Sequence, residues 1–405
     1  MPHVRQRYLE PIAKKMLTGS KIVGVIGQRQ TGKTTLVERI SADYVTLDDP
    51  QTLETALKTP QFLISNRKLP FGIDECQESP PLFSTLKEWV RTHRTPGQFI
   101  LTGSVRFTSI EEIRESLTGR MVDIELLPLT LSELEQLPLW DILRLVQSKN
   151  PLDVLKNNPF APVNKLFLLK IFLLRGGLPG ICFVRSEAMR SRQLRSHIKT
   201  ILDRDLRKVT NTQLDYLTLK TFLEEVALQQ GDVFDLSKVA RTARIAPNTA
   251  KKILAGLESV FLVRSILKMG NTSGRLVYLE DQGMATFLLQ ERGISLLNTE
   301  PRIADWNRFL FQQLYGQLNY RMGTSFQIFS YRPRGGALID FGIRIDGHDL
   351  GYSVGMENTA TSQQFKSAES FIKKHPRARV FLLHQGESFR KITNQIYECP
   401  LRSVV

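Results

Sequence analysis

The sequence predicts an α/β protein with a parallel sheet in its first domain, a helical middle segment and a mixed α/β domain at the end. In the first domain, four short apolar stretches alternate with helical ones, at residues 21–26, 44–47, 71–74 and 99–102. Strands that are apolar throughout and are separated by helices are typical of a parallel sheet covered on both faces. With 405 residues, the chain is also too long for one ordinary hydrophobic core.

Changes in composition along the chain predict four segments. Residues 1–131 form the first α/β domain, and residues 132–232 form a proline-punctuated helical connector or lid. Residues 233–270 form a winged-helix element, and residues 271–405 form the second α/β domain. Helical spacing supports the connector at residues 165–174, 188–208 and 217–229. Apolar strands return in the last segment at residues 276–279, 326–329, 338–345 and 380–383.

The bulk composition is that of a basic globular chain without a membrane span. No apolar run is long enough to cross a bilayer and the first residues lack a signal-peptide core, so we expect a cytoplasmic protein. Three scattered cysteines give neither a metal-ligand spacing nor a disulfide framework. The net charge of +15 favours a polyanionic partner, most often nucleic acid. A basic surface that serves only solubility is the alternative.

A glycine-rich loop joins the first predicted strand to a helix. Residues 27–34 read GQRQTGKT and match the G-x-x-x-x-G-K-[ST] pattern without departure. In such a loop the backbone N–H groups and the following helix point at phosphate oxygens, the lysine reaches the β- and γ-phosphates, and the Ser/Thr hydroxyl binds Mg²⁺. We therefore predict a P-loop domain that binds ATP and Mg²⁺. The predicted nucleotide contacts are Gly27, Gln28, Arg29, Gln30, Thr31, Gly32, Lys33, Thr34 and Thr35.

Two adjacent acids, Asp74 and Glu75, end the predicted strand at residues 71–74. Asp74 is placed to hold the magnesium ion together with Thr34, and Glu75 to orient or deprotonate the attacking water. A solvated acidic turn is the weaker alternative, because it would leave two unpaired carboxylates at a strand end by accident. The pattern predicts ATP hydrolysis with Lys33, Asp74 and Glu75 as catalytic residues.

Ser104 and Arg120 are two further candidates for the same site. Ser104 follows a strand that should lie beside the loop strand, where a hydroxyl commonly contacts the γ-phosphate region. Arg120 is a candidate arginine finger for a neighbouring subunit, with Arg106 and Arg114 in reserve. The alternatives are that Ser104 only closes a turn and that Arg120 pairs with an acid at position 123 or 125.

Taken together, these motifs give the chain a resemblance to a known family. The ordered segments GQRQTGKTT, IDECQ, FILTGS, SLTGR and LPLT, followed by RGGLP and LDRDL, resemble prokaryotic AAA+-type ATPases that carry a domain of unknown function called DUF4143. The resemblance covers nearly the whole chain. It implies an ATPase core, a winged-helix middle and a restriction-endonuclease-like domain at the end, and it gives Lys33, Asp74, Glu75 and Arg120 the roles predicted above.

The last domain departs from the family pattern where a metal nuclease needs its carboxylates and lysine. Asp340 is kept, but residues 353–355 read SVG where the family has Glu and Lys, and Asn307 stands at the probable position of the first Glu. A metal-dependent nuclease needs several carboxylates for Mg²⁺ and a lysine near the water. We therefore predict an inactive domain that serves as a basic docking or assembly module.

The segment at residues 233–270 has a two-helix signature. Ser237 is predicted to cap a helix that runs to residue 243, and a second helix is expected at residues 249–260, before a returning strand at 262–267. This spacing is typical of helix-turn-helix DNA readers, with mainly phosphate-directed contacts. A lid or a subunit contact is the alternative. The predicted DNA-binding residues are Arg241, Arg244, Asn248, Thr249, Lys251 and Lys252.

These observations predict an ATP-hydrolysing AAA+-type protein that binds DNA and couples hydrolysis to DNA remodelling or translocation, as a homo-oligomeric ring. The first alternative is a STAND-like signalling switch, with the winged helix as a lid and no DNA motor activity. A nuclease tethered to an ATPase and a chaperone-like remodeller of proteins are further alternatives, and no residue pattern favours the latter.

Overall fold

Two β-sheets organise the chain. The computed structural model describes residues 4–270, 274–295, 300–321, 323 and 325–405. A five-stranded sheet lies in the first domain and an eight-stranded sheet in the last one. Among the described residues, no helix is long and apolar enough to cross a membrane.

The first sheet is parallel throughout, as predicted. Its strands are β1 (Ile22–Ile26), β2 (Asp43–Thr46), β3 (Phe71–Asp74), β4 (Phe99–Gly103) and β5 (Met121–Glu125). The order β2-β3-β4-β1-β5 places β4 beside the loop strand and β3 next to it. The strand β5 was not predicted. The helices of this domain are α1 (Leu9–Leu17), α2 (Lys33–Ile40), α3 (Pro50–Lys58), α4 (Pro60–Ile64), α5 (Pro80–Thr92) and α6 (Glu111–Leu117).

Parallel register brings the functional motifs to one edge of this sheet. Ile26 at the end of β1 lies opposite Gly103 on β4 and Glu125 on β5. The chain then turns at Gly27, where an added Cβ would lie 2.3 Å from the carbonyl oxygen of Leu126. Because only glycine fits so close to a neighbouring backbone, the loop can begin directly at the strand end.

Short helices follow the first sheet. They are α7 (Leu131–Leu134), α8 (Arg144–Gln147), α9 (Pro151–Lys156), α10 (Leu166–Arg175), α11 (Pro179–Cys182), α12 (Glu187–Thr200), α13 (Leu206–Thr210) and α14 (Tyr216–Leu228). A π-helical turn at Ile201–Asp205 joins α12 to α13, so the helix predicted at residues 188–208 is one rod with a bulge.

Two helices and a β-hairpin come next. They are α15 (Leu236–Thr242), α16 (Pro247–Ser259), β6 (Val263–Met269) and β7 (Arg275–Leu279), with β6 and β7 antiparallel. The predicted cap at Ser237 is wrong, because the side chain of Asp235 accepts the hydrogen bond from Lys238 N and the helix starts earlier. Between the helices, Arg244 takes a left-handed conformation with φ 54°.

The remaining elements complete the second sheet. Its strand order is β12-β13-β11-β10-β9-β8-β6-β7, a mixture of parallel and antiparallel pairs. The hairpin of β6 and β7 is therefore the edge of this sheet, and the segment boundary placed between residues 270 and 271 falls inside that hairpin. The new elements are α17 (Gln282–Glu291), α18 (Ile303–Asn319), β8 (Phe326–Tyr331), β9 (Ile339–Ile345), β10 (His348–Val354), α19 (Ser362–Lys374), β11 (Arg379–His384), β12 (Arg390–Lys391) and β13 (Ile396–Pro400).

Two apolar clusters divide the middle of the chain between its neighbours. The helices α7 to α10 bury residues such as Leu155 and Phe172 against Trp306 and Phe341 of the last domain. The helices from α11 to α17 share another cluster that includes Leu178, Ile198 and Leu254. The second cluster therefore ties the helical rod to the two-helix element.

Candidate nucleotide site

The P-loop forms a turn around a buried lysine. Gly32 has a left-handed φ of 93° and directly precedes α2. Lys33 Nζ donates to the carbonyl oxygens of Gly27 at 2.8 Å and Gln28 at 2.9 Å. Burial lowers the pKa of Lys33, against the opposing negative charges of Glu75 and Asp74. The ammonium group thus lies over the loop where a phosphate would sit.

Asp74 and Thr34 lie together at the end of β3. Thr34 Oγ1 donates to Asp74 Oδ2 at 2.7 Å, and Tyr44 OH donates to the same oxygen at 3.1 Å. Thr102 Oγ1 donates to Asp74 Oδ1. Within the described ranges, no cluster of three His, Cys, Asp or Glu residues is able to hold a metal. Two adjacent hard oxygen ligands fit Mg²⁺, which keeps several waters and takes its other ligands from phosphates.

Glu75, which follows Asp74 at the end of β3, is oriented by polar neighbours. It is buried, adopts a left-handed φ of 53°, and donates its backbone N–H to Thr102 Oγ1 at 3.0 Å. Gln77 Nε2 donates to the Glu75 carboxylate and also lies 3.5 Å from Ser104 Oγ. Ser104 is therefore connected to Glu75 through the amide of Gln77.

Two adjoining cavities flank the P-loop. The first, of about 500 Å³, is lined by Arg29, Lys33, Thr34 and Glu75, and its opposite wall comes from α12. The second, of about 420 Å³, is mostly apolar. Gly32 and Gly180 line both cavities, so the two lie side by side at the P-loop. The second cavity's walls are Val4, Arg5, Arg7, Thr31, Gly32, Thr35, Leu36, Arg39, Leu129, Pro179, Gly180, Phe183 and Val184.

The RGGLP segment forms one wall of the second cavity because its glycines pack against backbone. An added Cβ at Gly177 would lie 2.1 Å from Leu129 O, and Leu129 N donates to Gly177 O at 2.7 Å. Asp281 accepts from Gly177 N at 2.7 Å. Burial raises the pKa of Asp281 to about 6. These contacts fix Pro179 at the cavity.

Arg7 is a site residue that the sequence reasoning missed. Its guanidinium donates to Thr31 O of the P-loop at 2.5 Å, to Leu127 O at 2.6 Å and to Glu133 Oε1 at 3.0 Å. Burial opposes the charge, but Glu133 and neighbouring groups raise the pKa of Arg7 overall. Only the three-dimensional contacts reveal this residue, because it lies far along the chain from its partners.

Ion pairs join the first domain to the helical rod. Arg29 Nε contacts Asp205 Oδ2 at 2.6 Å. Glu78, which follows β3, contacts Arg204 at 3.0 Å and Lys208 at 2.6 Å. The P-loop arginine that was predicted to bind nucleotide therefore also holds the rod.

The arginine-finger candidates lie away from these cavities. Arg120 is exposed and donates to Ser116 O at 3.3 Å. Among the described residues it forms no ion pair with Asp123 or Glu125, the two acids that were its alternative partners. Arg114 is also exposed. Arg106 lies over the Phe261 ring at 4.4 Å and pairs with Glu125, so it is engaged by groups of its own chain.

The predicted DNA-binding residues lie on and between α15 and α16. Arg241, Arg244, Asn248, Lys251 and Lys252 are exposed, and Thr249 is half-buried. The opposite faces of both helices are buried through Val239, Ala250 and Leu254. The structure thus leaves five of the six residues exposed at the surface of the two-helix element.

In the last domain, Asp340 lies buried among neutral partners. Asn307 Nδ2 donates to Asp340 Oδ1 at 3.2 Å, and Val354 N donates to Oδ2 at 2.8 Å. Burial raises the pKa of Asp340 to about 6. Burial therefore makes the charged carboxylate of Asp340 less stable here than in water.

Two protein-family models match separate parts of the chain. A model of the AAA domain matches residues 19–135, and a model described as a domain of unknown function (DUF8612) matches residues 167–293. With the parallel sheet and the P-loop geometry, the first match makes residues 19–135 an AAA-type P-loop domain. For the middle of the chain the match is to DUF8612 where the resemblance implies DUF4143, so DUF4143 stays a prediction.

The chain is also similar to two mycobacterial proteins, and its structure aligns with solved structures. The uncharacterized proteins Rv2008c of Mycobacterium tuberculosis and Mb2031c of Mycobacterium bovis are each 24% identical over 402 residues, covering 97% of this chain and 82% of the relative. AMPPCP-bound DnaA from Aquifex aeolicus aligns at 13% identity and TM-score 0.26, over 62% of this chain and 86% of that one. The STAND protein PH0952 from Pyrococcus horikoshii, which has a tetratricopeptide repeat sensor, aligns at 12% identity and TM-score 0.23, over 78% and 47%. TM-scores this low carry no conclusion.

Proposed function

We propose that this protein is a magnesium-dependent ATPase whose nucleotide site lies at the carboxyl edge of the first sheet. The observation that carries the proposal is the placement of Lys33, Thr34 and Glu75 on the wall of the polar cavity, with Asp74 bonded to Thr34. The polar cavity fits a triphosphate and the apolar one fits a nucleoside. In that arrangement ATP spans both cavities and places its γ-phosphate near Glu75.

The residues divide the work by their chemistry. Lys33 leaves its loop carbonyls to neutralise phosphate oxygens, and the loop N–H groups bind the same oxygens. Thr34 and Asp74 would hold Mg²⁺, which when bound would supply positive charge against the β- and γ-phosphates. Glu75 accepts a hydrogen bond from the attacking water and aligns it with phosphorus. In this arrangement the adenine base of the nucleotide lies in the apolar cavity, against Leu36, Pro179 and Phe183.

Two variants test this proposal by separating binding from hydrolysis. Lys33→Ala should lose nucleotide affinity, because it removes the phosphate-neutralising charge. Glu75→Gln should bind ATP with magnesium and retain it unhydrolysed, because only the water-orienting acid is lost. Nucleotide affinity and phosphate release are measured for both. An unchanged hydrolysis rate in Glu75→Gln, or unchanged binding in Lys33→Ala, would contradict the assignment.

We further propose that α15 and α16 contact the DNA backbone and that DNA binding is coupled to hydrolysis. The exposed basic face and the net charge of +15 support this. A Lys251→Ala, Lys252→Ala variant should weaken duplex binding and reduce the dependence of log K on log salt by about one to two. Lys373 and Lys374, an exposed lysine pair at the end of α19, provide the matched control. Equal effects of both pairs, or an ATPase rate that does not respond to DNA, would reject this role.

The ring is a separate proposal that depends on Arg120. Because this side chain is exposed, it is free to reach a neighbouring subunit's γ-phosphate. Arg120→Ala should then bind ATP but hydrolyse it slowly in the assembled state, whereas Arg114→Ala should behave as wild type. Normal hydrolysis by a wild-type monomer in the presence of ATP and DNA would exclude the trans arrangement.

A second candidate function, a nucleotide-dependent switch, is favoured by one specific observation. The polar cavity of about 500 Å³ beside the P-loop is the phosphate cavity, and α12 of the same chain already forms its opposite wall. Asp205, in the π-helical turn that follows that helix, holds Arg29. A switch would show slow turnover, different compactness with ATP and ADP, and no affinity for DNA. Small-angle scattering with each nucleotide, together with the DNA titration above, separates the switch from the DNA-coupled ATPase.

A further inference from the structure

One face of α12 carries four polar side chains that point into the phosphate cavity. Gln193, Ser196, His197 and Thr200 follow the spacing of one helix face and line the wall opposite the P-loop. Polar residues usually face bulk solvent on such a helix, whereas the apolar face of α12, with Leu194 and Ile198, packs into a core cluster. The cavity therefore has a polar lining on the side that the P-loop does not supply.

His197 lies at the centre of this face, next to the P-loop. It is buried, and its Nε2 lies 3.5 Å from Gln28 Nε2. Gln28 Oε1 is also buried and has no hydrogen-bond partner among the described residues. An ionised phosphate offers only acceptors, so it would leave Gln28 Oε1 unpaired. A phosphate oxygen beside the pair would accept from the Nε2 amide of Gln28 and from the imidazole N–H of His197.

Burial and two nearby positive charges keep the ring of His197 neutral. Burial, together with the positive charges of Arg29 and Lys33, lowers the pKa of His197 to about 4. Glu75 lines the same cavity, and Asp205 faces Arg29. A neutral imidazole keeps one N–H donor, which suits a phosphate oxygen without changing the charge of the site.

Of the three phosphates of ATP, the terminal one is expected to lie nearest to this face of α12. The wall shares its cavity with Glu75, the residue assigned to the attacking water, and with Lys33, which reaches the β- and γ-phosphates. The nucleoside cavity lies on the other side of Gly32. A triphosphate therefore brings its last group towards α12, and a diphosphate ends short of it.

We propose that Gln193, Ser196, His197 and Thr200 form a γ-phosphate recognition surface, with His197 as its central hydrogen-bond donor. This inference rests on the proposed ATP binding and deepens it. The surface distinguishes ATP from ADP, and the same rod carries Asp205 and Lys208 against the first domain. His197 is thus a positioning residue for nucleotide discrimination.

The test is the ratio of affinities for a non-hydrolysable ATP analogue and for ADP, both with magnesium. His197→Ala should weaken binding of the triphosphate about tenfold and of ADP less than about twofold, as expected for one hydrogen bond to a charged group. His197→Gln, which keeps a donor, should recover part of the loss. Arg192→Ala, an exposed residue of α12 outside the cavity lining, should leave the ratio unchanged.

Equal weakening of both nucleotides, or an unchanged ratio, would overturn the inference. Ser196→Ala combined with Gln193→Ala gives the same comparison if His197→Ala does not fold, since Ser196 is exposed and Gln193 half-buried. Failure of the ATP proposal looks different, because wild type would then bind neither nucleotide and Lys33→Ala would have no effect. A loss confined to the triphosphate supports the recognition surface.

Discussion

Replacing Asp340 with asparagine should stabilise the last domain at neutral pH. The carboxyl is buried on β9, with Val354 N and Asn307 Nδ2 as its hydrogen-bond donors. Burial raises its pKa from 3.8 to about 6, although these hydrogen bonds and the charge of Arg332 oppose the rise. The wild-type protein therefore holds a carboxylate at neutral pH in a place that favours the neutral acid.

The rise in pKa sets the size of the expected effect. A change from 3.8 to about 6 corresponds to about 3 kcal/mol of unfolding free energy. Because the folded state binds the proton more tightly than the unfolded state, stability falls as pH rises through this window, and the loss is complete above it. Asparagine keeps an acceptor for Val354 N and presents an amide to Asn307, whose Oδ1 has no partner within the described chain. Allowing for the weaker neutral hydrogen bonds, the net gain should be about 1–3 kcal/mol.

Urea unfolding measures this gain. The probe is tryptophan fluorescence, to which Trp306 contributes from the apolar cluster that also contains Phe341, the residue after Asp340. The advantage of Asp340→Asn should be present at about pH 8 and should disappear near pH 4, where wild-type Asp340 is protonated. Glu369→Gln, an exposed change on α19, is the control for loss of one negative charge. If Asp340→Asn proves less stable than wild type at about pH 8, the carboxylate is needed in its charged form and the reasoning fails.

Two other perturbations follow from the contacts of the nucleotide site. Asp205→Asn removes the negative partner of Arg29, so ATP should bind more tightly by a few fold. Because the same change removes an ion pair that holds the rod, amide hydrogen exchange along the rod should become faster, and slower exchange would contradict the role of the pair. Gly177→Ala places a methyl group 2.1 Å from Leu129 O and should lower the unfolding free energy by about 1–3 kcal/mol in thermal melts. Gly180→Ala, whose added Cβ meets nothing closer than 3.9 Å, should melt as wild type, and equal losses in both would refute the packing explanation.

The sequence predicts only those residues of this site that belong to short motifs of neighbouring residues. The P-loop and the acids at the end of β3 follow from residue spacing, because each motif is local and a parallel sheet brings strand ends together. Arg7, Thr102 and His197 were not predicted as site residues, since their partners are distant in sequence and a lone Arg, Thr or His has no distinguishing pattern. The helix cap at Asp235 was missed for a different reason, because Asp and Ser are both good caps and two such residues stood close together.

The strands of the second sheet show a similar limit in the last domain. The strands β8, β9 and β11 were predicted, but β10 was not, because its polar and glycine residues hide the apolar alternation. The membership of β6 and β7 in the same sheet depends on the parallel pairing of β6 with β8, which spans about sixty residues of chain. Segment boundaries drawn from local composition therefore fall inside a unit that is continuous in space.

The contacts of the rod explain why the two candidate functions share their first step. The helix α12 lines the phosphate cavity, and α13 at the other end of the rod packs closely on α16. At Gly256 of α16, an added Cβ would lie 2.2 Å from the Thr210 side chain and 2.7 Å from the Leu206 side chain, so α16 packs its backbone directly on these two side chains of α13. Because close-packed interiors transmit displacements, we expect a shift of the rod to move α16 as well. If the proposed γ-phosphate contact moves the rod, the shift should reach the basic residues of α16 under both proposals, and binding of DNA to those residues would distinguish a DNA-coupled ATPase from a switch.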